Sequence, residues 1–330
     1  MRPAGPVDEV VATLRGWLDG PGDVRLVVET SGSTGLPKRV LLSRAAVLAS
    51  VAATESRLGA SGRWVLVLPP SYVAGVQVIC RSLVAGHEPA TSWAGQPDDG
   101  PWFTSLVPTQ LHRLLDSPED VAALRTAHTI LLGGGPIDPA LRSRAEEEGL
   151  RVVATYGSAE TAGGCVYDGL PLDGVAVAVG TEGRIRIAGP MLFDGYQDDA
   201  ELTAGKLVDG WYLTSDAGRL DDDGRLTVYG RMDDMVISGG VNVPAPAVAA
   251  RLRGHPDIAD VEVLGVDDPE WGQRVVAFVV TVLGVDLERL RDWVAEEHPR
   301  AWAPRQVVVL DEIPRLDNGK PDRIALRRLL

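Results

Sequence analysis

The chain has 330 residues, a net charge of −14, 45% hydrophobic content and 24% charged content. That composition suits a globular protein of one large domain or two modest ones, and the negative balance excludes the basic stripe that a nucleic-acid partner requires. No apolar run approaches the ~20 residues that span a bilayer, so no membrane insertion is expected, and the start MRPAGPVDEVV lacks the basic-then-apolar order of a signal peptide.

VRLVVET (24–30) reads as a strand leading into TSGSTGLPK (30–38). SRAAVLASVAATESRLG (43–59) predicts a helix capped by Ser43. RWVLVLPP (63–70) predicts a buried strand stopped by two prolines, and AGVQVICRSLVAG (74–86) a helix ending at Gly86. WFTSLVP (102–108), HTILLGG (128–134) and RVVATYG (151–157) predict further strands, separated by helices over 109–116 and 138–148. Strands alternating with helices imply crossover connections and a mostly parallel sheet, with ligands beyond the carboxyl ends of the strands. After about residue 170, short alternating strands with Gly and Asp turns predict antiparallel hairpins. GRMDDMVISGG (230–240) is a charged, glycine-rich joint. Beyond it come a helix (244–253), a strand pair (DVEVLGV and RVVAFVV), a helix (286–297), a strand (305–310) and a last helix (322–330). The expected class is α/β. A large N-terminal domain, 1–231, carries a mostly parallel sheet and a small antiparallel β subdomain; a small α+β C-terminal domain, 232–330, follows.

Cys80 and Cys165 have no metal-binding spacing and read as free thiols of a reducing cytoplasm. Among 32 basic residues only three are lysines: Lys38, Lys206 and Lys320. Lys and Arg are not interchangeable where a compact ammonium must meet a phosphate. Lys206 lies in a polar connecting segment, whereas Lys38 and Lys320 lie in Gly-bearing turns. TSGSTGLPK offers hydroxyls at Thr30, Ser31, Ser33 and Thr34, close backbone approach at Gly32 and Gly35, and a cation at Lys38. It reads either as an anion-binding nest or as a polar surface turn. Pro37 before Lys38 and Arg39 after it exclude the Walker pattern.

TYGSAET (155–161) follows a strand. Tyr156 can face a base, Glu160 can bind Mg²⁺ and Thr161 can bond a phosphoryl oxygen; the same residues also suit a helix start capped by Ser158. The Asp216 carboxylate can accept ribose hydroxyls and the Arg231 guanidinium can donate to one, though a turn residue and a solvated charge are equally ordinary readings. In PRLDNGKPDR (314–323) a turn at 317–319 presents Lys320, either as a reactive group or as an exposed loop lysine.

Taken in order, these motifs make the chain resemble the adenylate-forming superfamily of acyl- and aryl-CoA ligases, adenylation domains and luciferases. The resemblance covers nearly the whole chain. It implies ATP, Mg²⁺ and coenzyme A as the small molecules used. It assigns residues 30–35 with Lys38 to the phosphates, and Gly134, Gly135, Thr155, Tyr156, Gly157 and Thr161 to the nucleotide. Glu160 is the metal ligand, Asp216 and Arg231 hold the ribose, and Lys320 is the adenylation lysine. Lys320, Lys38 and Glu160 thus form the expected catalytic set. Asp233 is the expected hinge of a mobile C-terminal domain, and Ser238, Gly239 and Gly240 adjoin coenzyme A.

Within that superfamily, the short chain with GGGP and YGSAETAGGCVYDGLPLDGV most resembles the short actinobacterial o-succinylbenzoate–CoA ligases of menaquinone biosynthesis. That resemblance implies an aromatic acid with two carboxylates: one is activated, the other held by the pocket. Arg81, inside an apolar helix, is the candidate cation, with a snorkelling surface charge as the alternative. Gly133, Gly163 and Gly164 are expected to line the aryl site. The phosphate loop begins only at Thr30, so an N-terminal subdomain of relatives is expected to be largely absent, with a homodimer as one way to wall the pocket. Ser215 and Ala247 stand where relatives carry Gly and Glu. Other acyl- or aryl-CoA ligases, adenylating enzymes with an amine or carrier-protein acceptor, and a catalytically dead nucleotide-binding relative remain open. Intact Lys38, Glu160, Asp216 and Lys320 oppose the last.

Overall fold

The computed structural model describes residues 1–30, 38–93, 100–281, 283–315 and 321–330. It begins with helix α1 (Val7–Asp19), which buries Val10, Leu14 and Trp17 on one face. β1 (Leu26–Thr30) and β2 (Lys38–Leu42) follow and pair antiparallel, with Thr30 opposite Lys38. TSGSTGLPK therefore joins the two strands of a hairpin, whereas the sequence pattern had placed 24–30 among the parallel strands.

α2 (Arg44–Leu58) forms as expected: Ser43 Oγ accepts from the Ala46 N–H at 3.1 Å, and Gly59 ends the helix at φ +69°. Next come β3 (Arg63–Val65), α3 (Val73–Val84), β4 (Trp102–Leu106), α4 (Pro108–Leu114), α5 (Pro118–Leu124), β5 (Thr129–Leu132), α6 (Pro139–Glu147), β6 (Val152–Ser158), β7 (Gly163–Tyr167) and β8 (Leu170–Pro171). β3 is only three residues long, so the expected strand over 63–70 is mostly loop. The strands form one sheet in the order β3-β4-β5-β6-β7-β8. β3 to β6 run parallel through helical crossovers; β7 and β8 are antiparallel additions. Every residue of β4 and β5 is buried, as a strand covered on both faces requires.

β9 (Ala176–Val179), β10 (Arg184–Ala188), β11 (Gly195–Tyr196), α7 (Ala200–Lys206), β12 (Leu207–Val208), β13 (Trp211–Leu220) and β14 (Leu226–Arg231) follow. β11 adds to the β1–β2 hairpin, setting Tyr196 opposite Val40. A further sheet has the order β12-β13-β10-β9, with β14 on β13.

The remaining elements are β15 (Met235–Ser238), β16 (Val241–Pro244), α8 (Ala245–Arg253), β17 (Ile258–Asp268), β18 (Gly272–Thr281), α9 (Leu287–Ala295), β19 (Gln306–Leu310) and α10 (Arg323–Arg327). Their sheet has the order β16-β15-β18-β17, with β19 parallel to β18. Alternation along β18 feeds two cores. Val275, Ala277 and Val279 pack with Val248, Leu252, Leu290 and Val294 of α8 and α9; Val276 and Phe278 pack with Ile313 and Leu326.

The chain divides into two compact units: residues 1–178, 186–214 and 220–226, and residues 179–185, 215–219 and 227–330. No helix among the described residues is long and apolar enough to cross a membrane.

Candidate active site

The parallel strands converge on a cavity of about 120 Å³ in the first unit. Val107 follows β4, Gly133 and Gly134 follow β5, and Gly157 and Ser158 end β6; all line the cavity, as do Gly163 and Gly164 of β7. Close backbone packing demands these glycines. A Cβ on Gly133 would stand 2.3 Å from Thr155 Oγ1, and one on Gly157 only 2.1 Å from the Gly163 carbonyl oxygen. A cavity near 150 Å³ accommodates a benzene ring, so this one is of aromatic size.

α3 contributes Gln77 and Arg81, four residues apart on one face. Arg81 is only 6% exposed, so the snorkelling alternative fails. Its Nη2 donates to Thr54 Oγ1 at 3.1 Å and to the Tyr167 hydroxyl at 3.4 Å, and its guanidinium lies 4.9 Å from the Trp64 ring centroid. No carboxylate pairs with it among the described residues, and its buried Nε has no hydrogen-bond partner there. Two more buried polar atoms lining the cavity are also unpartnered: Gln77 Oε1 and Ser158 Oγ. A cation drawn from water without a counter-ion is costly, and two hydroxyls with an indole face offset only part of that cost.

Glu160 lies on a 3₁₀ turn, Ala159–Thr161, and is only 7% exposed. The Tyr196 hydroxyl donates to its Oε1 at 2.8 Å, and the Phe193 N–H donates to its carbonyl oxygen at 2.9 Å. Burial, followed by the charge of Glu160, pushes the Tyr196 hydroxyl well above the ordinary phenol range, so it remains a donor. Lys38 Nζ stands 5.9 Å from the centroid of the same Tyr196 ring. No cluster of three potential metal-binding side chains exists among the described residues. Mg²⁺ fits the donor set nonetheless, because it is commonly held by one carboxylate together with phosphate oxygens and water.

Ser158 stands at the N-cap position with Glu160 in the first turn, as the helix-start reading expects, but the element is a single 3₁₀ turn. Thr161 Oγ1 accepts from the Ser158 N–H at 2.8 Å and donates to the Gly163 carbonyl at 2.7 Å, leaving the Ser158 hydroxyl uncommitted. Thr161, expected at a phosphoryl oxygen, is fully buried with its hydroxyl bonded inside the turn. Thr155 lines the cavity, while Tyr156 lies half-buried on β6, opposite Val166. Gly135 has open space at its Cβ position. Ser31, Gly32, Ser33, Thr34 and Gly35 lie outside the described residues, as does Lys320.

In the second unit Asp216 and Arg231 form an ion pair at 3.6 Å. Asp233 sits on the 3₁₀ turn Met232–Asp234. Gly239 and Gly240 make the two-residue turn of the β15–β16 hairpin with φ +59° and +78°. Both angles favour glycine, and a Cβ on Gly239 would also strike the Trp271 ring at 2.6 Å. Ser238, at the start of that turn, is buried.

The structure thus brings Arg81, Gly133, Gly134, Thr155, Gly157, Gly163 and Gly164 around one cavity. It adds Gln77 to that cavity, and Ser158, expected only as a helix cap; Tyr196, outside every motif, meets Glu160 instead.

Residues 18–185 match the family described as AMP-binding enzyme, and residues 247–320 match the AMP-binding enzyme C-terminal domain. A probable 2-succinylbenzoate–CoA ligase from Mycobacterium tuberculosis is 42% identical over 324 residues, covering 93% of this chain and 84% of that protein. The 2-succinylbenzoate–CoA ligase of Geobacillus kaustophilus is 32% identical over 341 residues, covering 93% and 70%. Among solved structures, an o-succinylbenzoate CoA synthetase from Bacillus subtilis, in complex with the acyl-adenylate intermediate OSB-AMP, superimposes with a TM-score of 0.73. It shares 28% identity and covers 92% of this chain and 68% of that one.

Proposed function

Because the chain belongs to the AMP-binding enzyme family, we propose that it is an AMP-forming acid–thiol ligase acting on o-succinylbenzoate. It adenylates the acid with ATP and transfers the acyl group to coenzyme A, giving o-succinylbenzoyl-CoA, AMP and pyrophosphate. Arg81 carries this reading: a buried cation without a carboxylate partner among the described residues, on the wall of a ring-sized, glycine-lined cavity. Such a wall suits an aromatic acid whose second carboxylate stays unreacted. The relatives named for this substrate support the same choice.

The succinyl carboxylate is ionised at neutral pH and needs no general base. The chain's task is to align two anions and stabilise charge in flight. Lys38 and residues 30–35 take the phosphates, and Gly134, Gly135, Thr155, Tyr156 and Gly157 the rest of the nucleotide. Asp216 and Arg231 take the ribose, and Lys320 is the adenylation lysine. Glu160 holds Mg²⁺, which neutralises phosphate charge when bound. Arg81 pairs with the ring carboxylate, while Gly133, Gly163 and Gly164 leave room for the ring. Residues 232–330 form the mobile domain hinged at Asp233, with coenzyme A passing Ser238, Gly239 and Gly240. The reading also places the enzyme in the cytoplasm, as a homodimer, which sedimentation at working concentration checks.

Pyrophosphate release across a panel of carboxylic acids tests the reaction. We expect o-succinylbenzoate to give the highest kcat/KM and to yield a coenzyme A thioester. No release with that acid contradicts the assignment.

A further inference from the structure

Tyr196 belongs to none of the sequence motifs, yet it touches two of them. It lies on β11, a strand of two residues that pairs with Val40 and Leu41 of β2, the strand that begins at Lys38. Its hydroxyl donates to Glu160 Oε1 at 2.8 Å, and its ring centroid is 5.9 Å from Lys38 Nζ. Phe193 packs edge-on against it, with centroids 5.0 Å apart and planes at 66°. Phe193 is itself wedged edge-on against Tyr212 at 5.5 Å. The phenol is therefore fixed by packing as well as by its hydrogen bond.

We infer that Tyr196 is a positioning residue: its hydroxyl orients the Glu160 carboxylate toward the divalent cation, while its ring keeps the Lys38 ammonium away from that carboxylate. The inference rests on the assignment of Glu160 to Mg²⁺ made above. An ammonium and a carboxylate brought together out of water would pair, and neither would remain available to a ligand. Among the described residues no ion pair joins Lys38 to Glu160; the Lys38 ammonium stands over the Tyr196 ring instead. A neutral phenol instead satisfies one carboxylate oxygen and restricts its rotation without adding a counter-charge. This is how outer-shell hydrogen bonds tune metal ligands, and losing one commonly costs 10–100-fold in metal affinity.

Tyr196→Phe keeps the ring and removes only the hydroxyl. The dissociation constant of ATP is measured by calorimetry on the full chain, once with saturating Mg²⁺ and once with EDTA. In Tyr196→Phe, about tenfold of the tightening by Mg²⁺ should be lost, with ATP affinity in EDTA and KM for the acid unchanged. Glu160→Gln should lose at least as much, and the double variant no more than Glu160→Gln alone, because the hydroxyl acts through the carboxylate. If Glu160→Gln keeps the full Mg²⁺ effect, the metal assignment fails and the inference with it. If Glu160→Gln loses the effect but Tyr196→Phe keeps it, the inference alone is overturned. Parallel weakening of ATP in EDTA and of the acid in Tyr196→Phe overturns it too, as the mark of a merely structural phenol.

Discussion

Among the described residues, Arg81 in the first unit meets two hydroxyls and an indole face but no carboxylate, whereas Arg323 in the second is clasped between two. Arg323 Nε donates to Glu262 Oε1 at 2.8 Å, and Nη1 bonds Asp234. The Arg81 guanidinium leaves bulk water, whereas the Arg323 side chain stays partly exposed. Arg323 has its charge balanced by the fold itself; Arg81 is buried more deeply and left unbalanced. A charge answered within the fold contributes to stability, and removing it exposes its partners' cost. A charge left open carries an uncompensated desolvation cost, which is the reason Arg81, and not Arg323, is proposed to meet a ligand.

Substitution should separate the two. Arg323→Ala strands Glu262 and Asp234 and should lower unfolding free energy by about 2 kcal/mol, less than a fully buried pair costs because Arg323 is partly exposed. Chemical denaturation followed by tryptophan fluorescence reads this. Arg81→Met removes an unbalanced charge while the Thr54 and Tyr167 hydroxyls keep each other at 3.0 Å. It should shift stability by less than about 1 kcal/mol, with a gain as acceptable as a loss. A large loss from Arg81→Met would erase the distinction.

The smallest expected effect is on pH dependence. Burial holds the Glu262 carboxyl above its ordinary value of 4.5 despite the nearby Arg323, and Asp234 adds to the rise. Folding thus favours the protonated acid. Its contribution is complete below pH 4.5 and is lost as pH rises through the folded value. Glu262→Gln should flatten that decline by less than about 1 kcal/mol, seen in melting curves taken from pH 4 to 8.

Much of this was legible in the sequence where a local signal existed. Ser43 and Gly59 bracket α2 as caps should, and the strand–helix alternation of 102–158 yields the parallel strands. Three glycines and one arginine expected at an aryl site, Gly133, Gly163, Gly164 and Arg81, do line one cavity. The failures have a common physical cause. The β2 segment KRVLL has no clean alternation and becomes a strand by pairing with β1, so TSGSTGLPK was not legible as a hairpin connection. Tyr196 sits in a strand of two residues, and only long-range pairing with β2 brings it to Glu160. The free acceptor of Gln77 follows from its amide nitrogen being committed to the Ala162 carbonyl, a contact that no spacing rule reports.

The most direct test of an anion-seeking Arg81 varies the acid and the arginine together. Adenylation of o-succinylbenzoate is compared with that of 4-oxo-4-phenylbutanoate, which lacks the ring carboxylate, in the wild-type enzyme and in Arg81→Met. The wild type should prefer o-succinylbenzoate by about a hundredfold in kcat/KM, the scale of a desolvated charge pair, and the variant should show almost no preference. An undiminished preference in Arg81→Met would contradict the account.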